Sequence, residues 1–112
     1  MSKSEDLIKN LIALPHEYEW LDFKENWFSK DEIGEYISAI SNGAALCGRE
    51  FGYIVWGVND ASHEIIGTTV NFDKDVEHEP YKHYLARNLK PSVAFEVEDV
   101  LIDDKRLVLM SV

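Results

Sequence analysis

The chain has 112 residues, 46% of them hydrophobic, and 21 acidic against 11 basic side chains give it a net charge of −10. That is the size and composition of one globular domain, and no run approaches the roughly 18 apolar residues of a membrane span. A single cysteine, Cys47, excludes an internal disulfide framework and a cysteine-based zinc site, and without a signal-peptide pattern the expected location is cytoplasmic.

Ser2 precedes Glu5 by three, a capping-box spacing, and Leu7, Ile8, Leu11, Ile12 and Leu14 follow at helical spacing until Pro15. The next stretch is Glu17-Tyr18-Glu19-Trp20-Leu21-Asp22-Phe23-Lys24-Glu25, which predicts a strand of about five residues. Leu21 and Phe23 would face a core, while Trp20, Asp22 and Lys24 share the other face. Ser29-Lys30-Asp31-Glu32 is a second capping box, opening a helix with Ile33, Tyr36, Ile37, Ile40 and Ala44 on one side. Asn42-Gly43 is the expected end of that helix, with a loop from Ala44 to Gly52. Tyr53-Ile54-Val55-Trp56-Gly57-Val58 predicts a central strand buried on both faces. Asn59-Asp60-Ala61-Ser62 is turn chemistry, and Glu64 to Gly67 is expected to return as a short antiparallel strand.

Pro80 suits a first helical turn, followed by Tyr81, Leu85 and Leu89, and Pro91 stops that helix. Val93, Phe95 and Val97 alternate with Ala94, Glu96 and Glu98, a strand with one wet face; Asp103-Asp104 turns it into a last strand, Arg106 to Val112. Strands and helices mix without regular βαβ alternation. The expected class is α+β, a mixed, mostly antiparallel sheet packed with about three helices. The chain stops on the apolar run Leu107 to Val112. One domain spanning 1–112, the N-terminal part of a longer protein, is therefore expected.

The glycines match neither a Walker nor a dinucleotide spacing, and there is no His-Glu-x-x-His pattern. His78 and His83 fall on different faces of a helix, and Ser38 and Ser41 have no histidine near them in sequence to make either a nucleophile. Two features stand out. The first is an acid set, Glu17, Asp22 and Asp60, with Lys24 beside it. If the strands carrying Asp22 and preceding Asp60 are neighbours, the carboxylates meet at one sheet edge. Such a set holds Mg²⁺ or Mn²⁺ through hard oxygen ligands while a lysine steadies a phosphate. With 21 acids in the chain, a chance trio of solvated carboxylates is the bland alternative. The second is a basic stripe of His83, Arg87 and Lys90, with Lys82 near it, which together with Lys24 forms the candidate nucleic-acid contact. Its alternative is an ordinary solvated helix face.

Taken in order, these motifs resemble the Schlafen Alba-like domain, described as DNA-binding and found at the front of divergent AAA-type bacterial transcriptional regulators. The family pattern of Glu, four residues, Glu-Phe-Lys is met by Glu17, four residues, and Asp22-Phe23-Lys24. A helix ending Ala-x-x-Asn is met by Ala39 to Asn42, and a strand ending Gly-Val-x-Asp by Gly57 to Asp60. The match runs well over residues 17 to 70 and more loosely beyond. The resemblance implies a nucleic-acid-binding or regulatory module. For some vertebrate relatives it implies a metal-dependent nuclease acting on tRNA or rRNA, which here would use Glu17, Asp22 and Asp60 with Lys24 assisting. Asp22 stands where the pattern has Glu, shortening the reach by about 1.5 Å, one carbon–carbon bond. Residues 44–50 stand in place of a compact Gly-Gly turn.

Three functions follow. The first is a nucleic-acid-binding regulatory module, a binder rather than an enzyme, although the net charge of −10 counts against tight duplex binding by the chain as a whole. The second is a metal-dependent endoribonuclease, the one reading that calls for a cofactor, Mg²⁺ or Mn²⁺. The third is a non-catalytic scaffold or homodimer in which the apolar C-terminal strand pairs with another chain or a further domain. None involves a membrane.

Overall fold

A computed structural model describes residues 3–14, 18–27, 32–72, 75–76, 79–80 and 95–112. In chain order the elements are α1 (Lys3–Ile12), β1 (Leu21–Lys24), α2 (Ile33–Leu46), β2 (Tyr53–Trp56), β3 (Asp75–Val76), β4 (Glu79–Pro80), β5 (Glu96–Ile102) and β6 (Lys105–Ser111). Four strands form a sheet in the order β1-β2-β6-β5, and β3 and β4 pair separately. β1 and β2 run parallel; β2 with β6 and β6 with β5 run antiparallel. The fold is α+β with a mixed, mostly antiparallel sheet, and two helices lie among the described residues.

Strand alternation divides the core into two layers. Leu21, Phe23, Val55, Leu107 and Leu109 point to the side where Ile8 and Leu11 of α1 pack. Ile54, Trp56, Val108 and Met110 point to the other side, against Ile33, Ile37 and Ile40 of α2. The middle strands are covered on both faces, which explains the unbroken apolar run in each. β5 meets α1 and is covered over only part of its length. Glu96 and Glu98 are exposed, whereas Val100 and Ile102 of the same parity are buried. The Ser4 hydroxyl of α1 donates to Glu98 at the boundary. Asp103 and Asp104 close the β5–β6 hairpin with φ of 53° and 63°, the mirror-image turn whose twist matches the flanking strands.

Several expectations are corrected. α2 does not end at Asn42-Gly43. It runs through Gly43 to Leu46, with Cys47 as C-cap and Gly48 at φ 69°. The Arg49 amide donates to the Ala44 carbonyl at 2.8 Å and the Gly48 amide to Ala45 at 3.1 Å, the paired bonds of a Schellman motif. Gly43 is needed for close packing: a Cβ there would fall 2.6 Å from the Glu19 carbonyl carbon and closer still to its oxygen. Glu32 is the N-cap of α2 and makes no side-chain cap bond; Ser29 to Asp31 lie outside the described residues. Trp20 precedes β1 in a turn, so strand parity does not govern it, and it is buried among the α1-side core.

The return from Glu64 to Gly67 is a single antiparallel bridge, Val58 to Ile65. Pro80 sits in β4 rather than opening a helix, and the remainder of that predicted helix falls in 81–94, outside the described residues. β6 is hydrogen-bonded on both edges over Val108–Ser111, by β2 and by β5, so the C-terminal strand is internal and offers no free edge there to another chain.

Candidate functional site

The parallel pairing of β1 and β2 organises the site. Asp22 registers with Ile54 and Lys24 with Trp56, so both charged residues point to the α2 side of the sheet. β1 is an edge strand of the sheet, and its outward residues are only partly covered: Lys24 is 21% exposed and Asp22 19%. The Lys24 ammonium lies 3.2 Å from Asp22 Oδ2. It also stands over two rings, 4.6 Å from the Tyr36 centroid and 5.2 Å from that of Trp27. Those rings meet at a centroid distance of 4.9 Å and a tilt of 57°. The carboxylate on one side and two π faces on another fix the position of the ammonium.

The same edge receives the β2 turn. The Lys24 carbonyl accepts from the amides of Gly57 (2.7 Å) and Val58 (3.1 Å), tying the end of β1 to the segment leading to Asp60. Gly57 adopts φ 103°, and a Cβ there would stand 3.2 Å from both the Gly67 carbonyl carbon and Leu107 Cγ. Asn59 Oδ1 accepts from the amides of Ala61 (2.9 Å) and Ser62 (2.8 Å), an Asx turn that shapes the loop around Asp60. His63 Nδ1 donates to the Ile12 carbonyl at 3.1 Å, and its ring packs on Phe23 at 4.6 Å. Asn26 Oδ1 accepts from the Thr68 hydroxyl (2.8 Å) and the Thr69 amide (2.9 Å), pinning the next loop to the same edge.

Two clefts flank Lys24. The smaller, about 460 Å³, is lined by Phe23, Lys24, Glu25, Asn26, Trp27 and Asp60. The larger, about 860 Å³, is lined by Tyr18, Glu19, Leu21, Asp22, Tyr36, Ala39, Ile40 and Cys47. The structure thus brings Lys24 together with Asp22 by direct contact and with Asp60 across one cleft. Asp22 and Asp60 open into different clefts. Glu17, Lys82, His83, Arg87 and Lys90 lie outside the described residues. Among the described residues no three His, Cys, Asp or Glu side chains group closely enough to hold a metal ion, so no chemical step is routed through one.

Sequence reasoning missed the aromatic seat of Lys24 and a second cluster beside it. Arg49, delivered by the Schellman turn, lies 3.6 Å over the Trp20 ring, and Trp20 stacks on Tyr18 at 5.3 Å with planes 8° apart. The available signal was Cys47-Gly48-Arg49, a glycine just past a helix end.

The motifs and this geometry meet an independent match: the family model described as Schlafen, AlbA_2 covers residues 17–112. The chain belongs to the Schlafen AlbA_2 family. It is similar, at 24% identity over 114 residues, to an uncharacterized ATP-binding protein of Ureaplasma parvum serovar 3; 96% of this chain aligns with 31% of that protein. In fold, this AlbA_2 domain is similar to the N-terminal domain of a RecG-related protein from Nitrosomonas europaea, with a TM-score of 0.58 and 19% identity. That likeness covers 97% of this chain and 71% of the other. A crystal structure of a Corynebacterium diphtheriae protein gives a TM-score of 0.54 at 16% identity, covering 96% of this chain and 24% of that one. The chain therefore spans under a third of the Ureaplasma relative. No helix among the described residues is long and apolar enough to cross a membrane.

Proposed function

We propose that this AlbA_2 domain is a nucleic-acid-binding module that serves a regulatory role within larger bacterial proteins. The observation that carries the reading is Lys24: a partly exposed cation lining an open cleft, steadied by Asp22, Tyr36 and Trp27. A phosphate entering the smaller cleft meets this ammonium beside aromatic faces, the combination that single-stranded nucleic acid uses. The family and the RecG-related neighbour support the same class of partner. The ATP binding named for the Ureaplasma relative finds no Gly-rich phosphate loop in this sequence, and we assign it to the other two-thirds of such proteins.

The net charge of −10 makes weak, salt-sensitive binding the expectation. Fluorescence anisotropy with single- and double-stranded DNA and RNA at low salt tests it. Lys24→Met should weaken binding and lower the slope of log K against log salt by about 0.7, the loss of one single-strand phosphate contact. Absence of binding to every nucleic acid at low salt would reject the reading.

Metal-dependent ribonuclease activity is the second reading, favoured by Lys24 and Asp60 lining one cleft. It requires Glu17 to complete the acid set. Incubation with tRNA and Mn²⁺ should then give cleavage that disappears in Asp60→Ala; intact tRNA, or cleavage unchanged in the variant, sinks it.

A further inference from the structure

The larger cleft holds chemistry that phosphate contact at Lys24 does not use. Its lining is mostly apolar and includes Ala39 and Ile40 of α2. Its rim carries two phenol rings, Tyr18 and Tyr36, 36% and 37% exposed. Tyr18 is held by its stack on Trp20, and Tyr36 by its contact with Trp27. This open, mostly apolar cleft of about 860 Å³ has room for a planar ring beside its tyrosines. The carboxylates opening into it, Asp22 and Glu19, are acceptors only. Asp22 gives Oδ2 to Lys24, and Oδ1 has no hydrogen bond among the described residues.

We propose that this cleft takes one unpaired guanine base of a single-stranded nucleic acid, its Watson–Crick edge read by Asp22. The inference rests on the nucleic-acid reading above and deepens it. Stacking on tyrosine accepts any base, so the carboxylate makes the choice. Guanine alone presents two adjacent donors, N1–H and the exocyclic amine, which match the two oxygens of a carboxylate, Oδ2 accepting through the lone pair that the Lys24 contact leaves. Adenine and cytosine set an acceptor beside their amine, and uracil and thymine flank a single N–H with carbonyls. Each of these sets lone pairs against lone pairs. In a duplex that edge is already paired, so the cleft selects single strands. Lys24 stands between the two clefts, touching Asp22 on one side and lining the smaller on the other. A base seated over Asp22 leaves its flanking phosphate within reach of Lys24.

The test uses the 112-residue chain and single-stranded oligonucleotides of about ten nucleotides, within the usual site sizes for such domains. Each is a pyrimidine homopolymer carrying one central guanine, inosine or adenine, on ribose and on deoxyribose backbones, measured by anisotropy at low salt. Guanine should bind at least about fivefold tighter than adenine, the lower end for a bidentate base contact, on one backbone or both. Inosine keeps N1–H and lacks the amine, and should lose most of the gain. Asp22→Asn should bring the ratio of guanine to adenine affinity to about one, whatever the change in overall affinity from the lost Lys24 contact; a ratio unchanged from the parent overturns the guanine site. Equal binding of all three bases overturns the guanine site and leaves the nucleic-acid reading standing. Absence of any binding overturns both. The inosine comparison needs no variant, so it decides even if Asp22→Asn fails to fold.

Discussion

Gly43→Ala is expected to destabilise the domain by about 3 kcal/mol, at the upper end for overpacking, because the clash is with backbone. On an exposed helix the same change would stabilise by about 1 kcal/mol through helix propensity. Here the sign reverses. The added methyl would lie 2.6 Å from the Glu19 carbonyl carbon and 2.9 Å from the Glu19 Cβ. Neither can move without shifting the segment that leads into β1. A loss of this size corresponds to a fall in Tm of roughly 12 °C or more for a domain of this length. Gly48→Ala is the control. Gly48 has φ 69° with nothing within 4 Å of the added carbon, so only the left-handed backbone penalty of about 1 kcal/mol applies. Thermal unfolding followed by circular dichroism separates the two. Equal losses would mean that the α2 contact with Glu19 is not tight in solution.

Trp56→Ala should cost about 3–5 kcal/mol, the usual range for emptying a large buried aromatic site. Trp56 is 0% exposed, packs edge-on against Phe72 at 5.0 Å, and donates its indole N–H to the Trp27 carbonyl at 2.7 Å. That bond anchors the Trp27 backbone, which carries the ring forming one wall of the Lys24 seat. Trp56→Phe, which fills most of the space and removes the donor, should therefore stay folded yet bind single strands more weakly than the parent. Urea unfolding measures the first effect and anisotropy the second. A fully folded Trp56→Phe with unchanged binding would show that Trp27 holds its place without the indole.

The legible parts of this domain were those set by local pattern. Leu21 and Phe23 alternate with Asp22 and Lys24, and the structure keeps that alternation, so the Asp22–Lys24 ion pair follows from neighbours two apart on a strand. The unbroken apolar runs in β2 and β6 signalled strands covered on both faces, and the Asp103-Asp104 turn was also readable. What depended on distant segments was not. Asn42-Gly43 has the chemistry of a helix end, but glycine's missing side chain serves a close approach to Glu19, a need that no local sequence displays. The parallel register that brings Lys24 to the same edge as Asp60 is a tertiary fact, stated from sequence only as a condition. The rings of Trp27 and Tyr36 meet over Lys24 from a loop and a helix, and Arg49 reaches Trp20 only because the Schellman turn directs it there.

One backbone oxygen has a consequence for how occupancy of either cleft could be observed. The Lys24 carbonyl accepts both the Gly57 and the Val58 amides, so these two protons and the Lys24 side chain share a single peptide unit's position. A ligand that draws the ammonium inward stiffens that peptide, and both amides should then exchange with deuterium more slowly. One that levers the strand end outward should speed both. The two amides form a built-in gauge of strand-end motion, readable by mass spectrometry without touching a residue that meets the ligand.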